Sequence, residues 1–391
     1  MHIKERGSNI RFIAKTFAGL EEVLADEISA IGVSKIEKYR RAVAFSGSKE
    51  QMYKANLYLR TALRILMPVH DFKATNEEQL YKGIRQTDWR KYMDSNMTFA
   101  VDSVVVSQYF KHSKYVALKT KDAIADQFRM HSGVRPSVDV EDPDVRIHIH
   151  ISGDACTVSL DSSGNTLFKR GYRKSGALAP LNEVLAAGMV LISGWKGRGH
   201  LIDPFCGSGT ILTEAAMIAK GIPPGIYIKK FGFQSWKDYD RLLWERIRNS
   251  VRYRRNKMEN MISGSDISVA AVRLARENII NAGVDDCIDI RIGSFEEFIP
   301  TEGGGTVITN PPYDERLKNR RILDLYKTIG DRLKRHYTGY DVWILGGNPE
   351  ALKMIGLRPS EKRVLFNGPI ECRYQKFSVY AGSMKLKYRI Q

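Results

Sequence analysis

The residues of this chain best suited to chemistry lie in two short strings, each closing an apolar run. The first is Asp203-Pro204-Phe205-Cys206-Gly207-Ser208-Gly209-Thr210, directly after Leu201-Ile202 and directly before a helical pattern. Gly207 and Gly209 let the backbone approach a ligand closely, and Thr210 offers a hydroxyl and an amide to an anionic group. The second is Asn310-Pro311-Pro312-Tyr313, after Thr306-Val307-Ile308-Thr309. Its prolines hold Asn310 extended, remove two amide donors and leave carbonyls free to accept. That suits an exocyclic amine, whose lone pair is delocalised into its ring. The Asn310 side-chain oxygen and the Pro311 carbonyl can accept its two hydrogens, aiming lone-pair density at a sulfonium methyl. Tyr313 can hold the base once it has left its stack.

Two further strand ends complete the constellation. Ser265-Asp266-Ile267 places a carboxylate where it could accept both hydroxyls of a ribose, and Gly293-Ser294-Phe295 could border an adenine. Asp266 follows Asp203 by 63 residues, against roughly 20 in a dinucleotide fold. The excess is an insertion, about 221–260, that mixes Phe231, Phe233, Trp236, Tyr239 and Trp244 with Arg252, Arg254, Arg255 and Lys257. Such interleaving fits stacking on single-stranded RNA and fits equally a helical hairpin packing its rings on a sheet. No G-x-x-x-x-G-K-[ST] string occurs, which argues against a nucleoside triphosphate. No Pro-Cys pair occurs either, so a cysteine route to ring-carbon methylation lacks its residue. The four cysteines (156, 206, 287, 372) are widely spaced and suggest reduced, buried thiols.

The elements that must position these residues alternate. From Pro180 onward, strand cores at 201–202, 262–263, 288–290, 306–309 and 341–345 are separated by helices at 210–220, 269–282 and 323–336. That order predicts right-handed crossovers, a parallel sheet and a Rossmann-like α/β domain over 166–391. Before it, residues 1–66 and 67–165 form two α+β segments. The first has strands at 10–16 and 42–45 and a helix carrying Met52, Ala55, Leu59 and Leu63. The second has strands at 97–106 and 145–151 and a helix at 115–130, with His148 and His150 alternating with isoleucines; 171–179 reads as a polar linker.

The 391 residues carry a formal charge of +17, and residues 351–391 alone hold nine Lys or Arg against two Glu. A surplus so concentrated points to a polyanion, because neutralised phosphates release counterions. No apolar run is long enough to span a bilayer, and the polar N-terminus lacks a signal-peptide core, so a cytoplasmic protein with no membrane partner is expected.

Together these strings resemble the THUMP-domain-containing guanine-N2 RNA methyltransferases of the RlmL-like type, which act on bacterial large-subunit ribosomal RNA. The resemblance rests on K-R-G-Y-R at Lys169–Arg173, A-P-L-N-E-V-L-A-A-G at Ala179–Gly188, D-P-F-C-G-S-G-T, G-S-D and N-P-P-Y-D-E-R-L. In the middle segment, Ser107-Gln108-Tyr109, Lys119–Ile124 and Arg135–Asp139 are similar to THUMP, and residues 1–66 to the ferredoxin-like domain preceding it. The resemblance implies S-adenosylmethionine as cofactor. Asp203, Phe205, Gly207, Ser208, Gly209 and Thr210 would carry its methionine part, Asp266 and Ile267 its ribose, and Ser294 and Phe295 its adenine. Asn310, Pro311, Pro312 and Tyr313 would take the target base, and Lys119, Lys121 and Arg135 would bind RNA. The implied partner is 23S ribosomal RNA or a large-subunit assembly intermediate. Ser294 stands where many relatives have Asp, and one methyltransferase domain stands where some carry two. N-P-P-Y alone fits adenine N6, in DNA or RNA, as well as guanine N2, and a non-catalytic RNA-binding ribosome-assembly factor is the remaining alternative. A fragment starting near residue 165 is expected to fold and bind the cofactor.

Overall fold

Alternating burial defines the strands of the N-terminal half. Ile147, Ile149 and Ile151 are fully buried, while His148 and His150 take the opposite face of the same strand. The computed structural model describes residues 9–173, 181–253, 261–312 and 319–380. Its elements in this half are β1 (Ile10–Lys15), α1 (Glu21–Ala30), β2 (Ile36–Tyr39), β3 (Ala42–Gly47), α2 (Lys49–Tyr58) and β4 (Arg64–Lys73). They continue with α3 (Glu77–Gln86), β5 (Thr98–Val106), α4 (Ser113–Ser132), β6 (Ser137–Val138), β7 (Val145–Ser152) and β8 (Ala155–Asp161). The strands make one sheet of eight, in the order β2-β3-β1-β4-β8-β7-β5-β6. β4 runs across position 66 and pairs with β1 on one side and β8 on the other, so the first two segments share a single sheet. A Ser48–Gln51 capping box starts α2, which stops at Tyr58, short of the spacing that reached Leu63. The Leu63 amide instead donates to the Lys15 carbonyl, leading the chain into β4.

The second half contains α5 (Glu183–Ser193), β9 (His200–Asp203), α6 (Thr210–Lys220), α7 (Arg241–Asn249), β10 (Ile262–Asp266), α8 (Val269–Asn281) and β11 (Ile288–Ile292). It ends with β12 (Gly305–Thr309), α9 (Asn319–His336), β13 (Tyr340–Gly346), α10 (Pro349–Met354), β14 (Glu361–Asn367) and β15 (Ile370–Ser378). The sheet order is β11-β10-β9-β12-β13-β15-β14, the Rossmann-like architecture expected. Strands β9 to β13 are parallel, but β15 runs antiparallel to both β13 and β14. The tight turn at Gly368, with φ of 63°, makes β14 and β15 a hairpin, which cannot be parallel.

The chain divides into two units, and two segments are exchanged between them. Residues 225–251 cluster with the N-terminal elements, and Phe17–Val23 with the C-terminal ones. Within the first unit, Phe231, Phe233, Trp236, Trp244 and Ile247 are buried in the same core as Phe12, Tyr53 and Leu57. Phe233 stacks on Tyr53 with ring centroids 4.2 Å apart, and Trp244 meets Tyr53 edge-on at 6.0 Å. The Phe233 amide donates to the Ser162 carbonyl (3.0 Å), and Lys237 pairs with Asp94 (2.7 Å). These rings are core residues and present no stacking platform for RNA. Arg254, Arg255 and Lys257 lie outside the described residues. Among the described residues no helix is long and apolar enough to cross a membrane.

Candidate functional site

In the second unit the chain goes from β9 outward through β10 to β11, then returns to place β12 against the other side of β9. The order reverses at β9, which is where an open α/β sheet holds its ligand. Asp266, Asp203 and Asn310 thus sit at, or just beyond, the carboxyl ends of three neighbouring strands. The motifs found 63 and 107 residues apart in sequence come together here for a topological reason.

The loop 204–209 is held from three directions. Asp266 Oδ2 accepts from the Gly207 amide and Oδ1 from the Ser268 amide, both at 2.9 Å. The Cys206 amide donates to the Ser265 carbonyl (2.9 Å), and Asn278 of α8 donates to the Ser208 carbonyl (3.1 Å). The glycines differ. Gly209, at φ 77°, packs against α8, where a Cβ would come 3.0 Å from that of Ala275; Gly207, at φ 52°, faces open space. Open space thus lies at Gly207, while Gly209 serves the turn and the packing. Gly209 also leaves α6 without a side-chain cap or an acid in its first turn, so neither competes for its first amides.

Asp203 is buried, 1% exposed, and its Oδ1 accepts from Thr309 Oγ1 (2.7 Å) and the Phe205 amide (3.2 Å). Burial pushes its pKa up to about 7, opposed by those two donors and reinforced by nearby Asp266. Next to Thr309, Asn310 Oδ1 is buried without a hydrogen-bond partner among the described residues. An acceptor in that state costs free energy unless a donor arrives from elsewhere. Pro311 is buried and Pro312 exposed; Tyr313 lies outside the described residues.

Ile267, beside Asp266, is 76% exposed and leaves an apolar side chain open just beyond the strand tip. Ser294 is partly exposed, its amide near Glu297 Oε2 (3.3 Å). The Phe295 ring is buried (3% exposed) and stacks with Phe205 (5.3 Å) and Tyr337 (5.9 Å), so its side chain packs in the core at the end of the loop after β11. In the first unit, Lys119 and Lys121 lie on α4. The Lys119 ammonium is 5.5 Å from the Tyr81 ring centroid, Lys121 pairs with Asp122 (2.9 Å), and Arg135 pairs with Asp126 (2.6 Å). Two residues in the second unit escaped the sequence reading: Thr309, which ties β12 to Asp203, and Arg173, whose Nη2 donates to Thr210 Oγ1 (2.7 Å).

Comparison with known proteins gives a consistent result. Residues 170–376 match the family described as RMKL-like, methyltransferase domain; 74–161 match the THUMP domain and 11–66 the RlmL ferredoxin-like domain. The ribosomal RNA large subunit methyltransferase K/L of Syntrophotalea carbinolica is 39% identical over 95% of this chain, but only 54% of its own length is matched. The chain spans about half the length of the curated relatives it matches. A methyltransferase, so designated, solved with S-adenosylhomocysteine superposes with a TM-score of 0.85 at 30% identity, covering 96% of this chain and 99% of its own. A structure designated a predicted N6-adenine-specific DNA methylase, from Listeria monocytogenes, gives 0.84 at 27% identity, covering 96% and 97%.

Proposed function

The chain belongs to the RMKL-like methyltransferase family, and from that membership we propose that it methylates the exocyclic N2 of a guanine in 23S ribosomal RNA. The observation that carries this reading is the buried, unpartnered Asn310 Oδ1 at the switch point of the sheet. S-adenosylmethionine supplies an electrophilic methyl group on a sulfonium. The open space at Gly207, the uncapped start of α6 and the exposed Ile267 fit that ligand's backbone approach, carboxylate and nucleoside. Asp203, Phe205, Gly207, Ser208, Gly209 and Thr210 hold the methionine part. Asp266 takes the ribose hydroxyls, since each carboxylate oxygen keeps acceptor capacity beyond its one amide bond. Asn310 Oδ1 and the Pro311 carbonyl accept the two amine hydrogens, which orients the nitrogen lone pair and stabilises the positive charge developing on it. No covalent intermediate is needed. Tyr313 holds the extruded base, and Lys119, Lys121 and Arg135 contact phosphates away from it.

THUMP and the large-subunit relatives favour RNA, as naked 23S ribosomal RNA or a cytoplasmic assembly intermediate. The Listeria neighbour's designation keeps adenine N6 as a second reading, because the Asn310 geometry serves either amine. Incubation with labelled cofactor and RNA from a strain lacking the gene decides between them by nucleoside analysis. N2-methylguanine is expected; N6-methyladenine as the only product selects the second reading. A protein that binds S-adenosylhomocysteine but labels no RNA would be an assembly factor instead.

A further inference from the structure

Lys169–Arg173 matched relatives without a role in the reading above, and Arg170, Tyr172 and Arg173 converge on α6. Arg170 Nε lies 3.4 Å from Glu214 Oε1, and the Tyr172 hydroxyl donates to the same oxygen at 3.0 Å, all three side chains buried. Asn281 of α8 donates to the Tyr172 carbonyl (3.1 Å). The segment is thereby pinned along the middle of α6, and Arg173 is delivered to its first residue. There Nη2 donates to Thr210 Oγ1 (2.7 Å) and the Leu181 carbonyl (2.9 Å), while Nε sits 2.8 Å from Glu183 Oε1. Glu183 is nearly buried and pairs with Nε by charge without a hydrogen bond, so the two Nη2 bonds orient the guanidinium, and Arg173 keeps 18% of its side chain exposed.

We propose that Arg173 recognises the α-carboxylate of the cofactor's methionine end. This rests on the S-adenosylmethionine reading and assigns the part of the ligand that the two strand-tip carboxylates would repel. Asp203 and Asp266 suit a cation and hydroxyls, so an anion must lie away from them. The start of α6 has no side-chain cap and no acid in its first turn to compete for its amides, and Arg173 adds a preorganised cation touching that turn. An arginine already held by Thr210 Oγ1 and the Leu181 carbonyl loses little freedom on meeting a carboxylate.

The test is calorimetry on the full-length protein with S-adenosylhomocysteine and its decarboxylated analogue, S-adenosyl-3-thiopropylamine. The wild type should prefer the carboxylate-bearing ligand by roughly ten- to a hundredfold, the scale of one or two charge-assisted hydrogen bonds. Arg173→Met should remove most of that preference, leaving only what the α6 amides supply, with affinity for the analogue unchanged; Arg173→Lys should retain more of it. If Arg173→Met does not fold, a Lys variant with the full wild-type preference overturns the proposal. Equal loss of affinity for both ligands in a folded variant also overturns it, because that is the signature of a structural arginine. A wild type that binds S-adenosylhomocysteine without preference overturns the proposal alone. A wild type that binds neither ligand overturns the cofactor reading, and the proposal with it.

Discussion

Asp203 holds its proton in a range where an unfolded chain has lost it, since its pKa stands at about 7 against about 3.9 for an exposed Asp. Below about pH 4 the residue is neutral in both states and costs nothing. Between about pH 4 and 7 the folded state binds the extra proton, so stability falls as pH rises; above about 7 the full cost of the buried charge is present. Asp203→Asn should therefore leave urea stability unchanged below about pH 4 and raise it above pH 7, by at most ~4 kcal/mol. A variant less stable at pH 8 would mean that the carboxylate is held by donors stronger than Thr309 and the Phe205 amide. Asp266→Ala and Asn310→Ala should separate binding from chemistry. The first should weaken S-adenosylhomocysteine binding measured by calorimetry. The second should keep that affinity and lose about two orders of magnitude or more in turnover at saturating RNA. That Asp203, Asp266 and Asn310 stand at strand ends was legible, because short strand cores at 201–202, 262–263 and 306–309 precede them. Thr309 and Arg173 were not, because their partners lie 106 and 37 residues away in sequence and no local pattern announces such bonds. That the Phe295 ring turns into the core was not legible, because an aromatic after a strand tip looks the same whether it turns toward ligand or core.

At the scale of elements, periodicity placed β9 to β13, α6 and α8 to within a few residues, since each buries one apolar face in a layered sheet. It missed the antiparallel β15, because strand direction depends on the connection and a hairpin was not recognised in Asn367-Gly368-Pro369. The loop between β9 and α6 gives an element-level prediction. Gly209→Ala meets both a left-handed φ of 77° and the Ala275 side chain, whereas Gly207→Ala meets only a φ of 52° in open space. Thermal melts should show Gly209→Ala losing more, about 2 kcal/mol or above against about 1 for Gly207→Ala. Calorimetry should show Gly207→Ala losing cofactor affinity out of proportion to its small stability cost. Equal melting temperatures for the two variants would contradict the packing described for α8.

Across the whole molecule, the sequence suggested modules in series, while the chain is interlaced. The segment 225–251 leaves the methyltransferase strands and supplies Phe231, Phe233, Trp236, Trp244 and Ile247 to the core of the first unit. In return, Phe17–Val23 brings Leu20 to Gly188 of α5, where an added Cβ would come 2.6 Å from the leucine side chain. Neither exchange shows in hydropathy, because a buried ring has the same residue type whichever core receives it. The interlacing reverses the expectation for a fragment starting near residue 165. Five large side chains would stand in water in both the folded and the unfolded fragment, so they subtract nothing from its folding energy but leave an exposed apolar patch that drives aggregation. The fragment also lacks Leu20, which leaves the Gly188 face of α5 uncovered. Residues 166–391 alone should therefore aggregate or melt without a cooperative transition and fail to bind S-adenosylhomocysteine. Replacing 225–251 by a short Gly-Ser linker should recover solubility in part, by removing the stranded rings. A sharp melt and full-length affinity in the unmodified fragment would show that 225–251 finds another place to bury its rings, and that the exchange is dispensable for the methyltransferase unit.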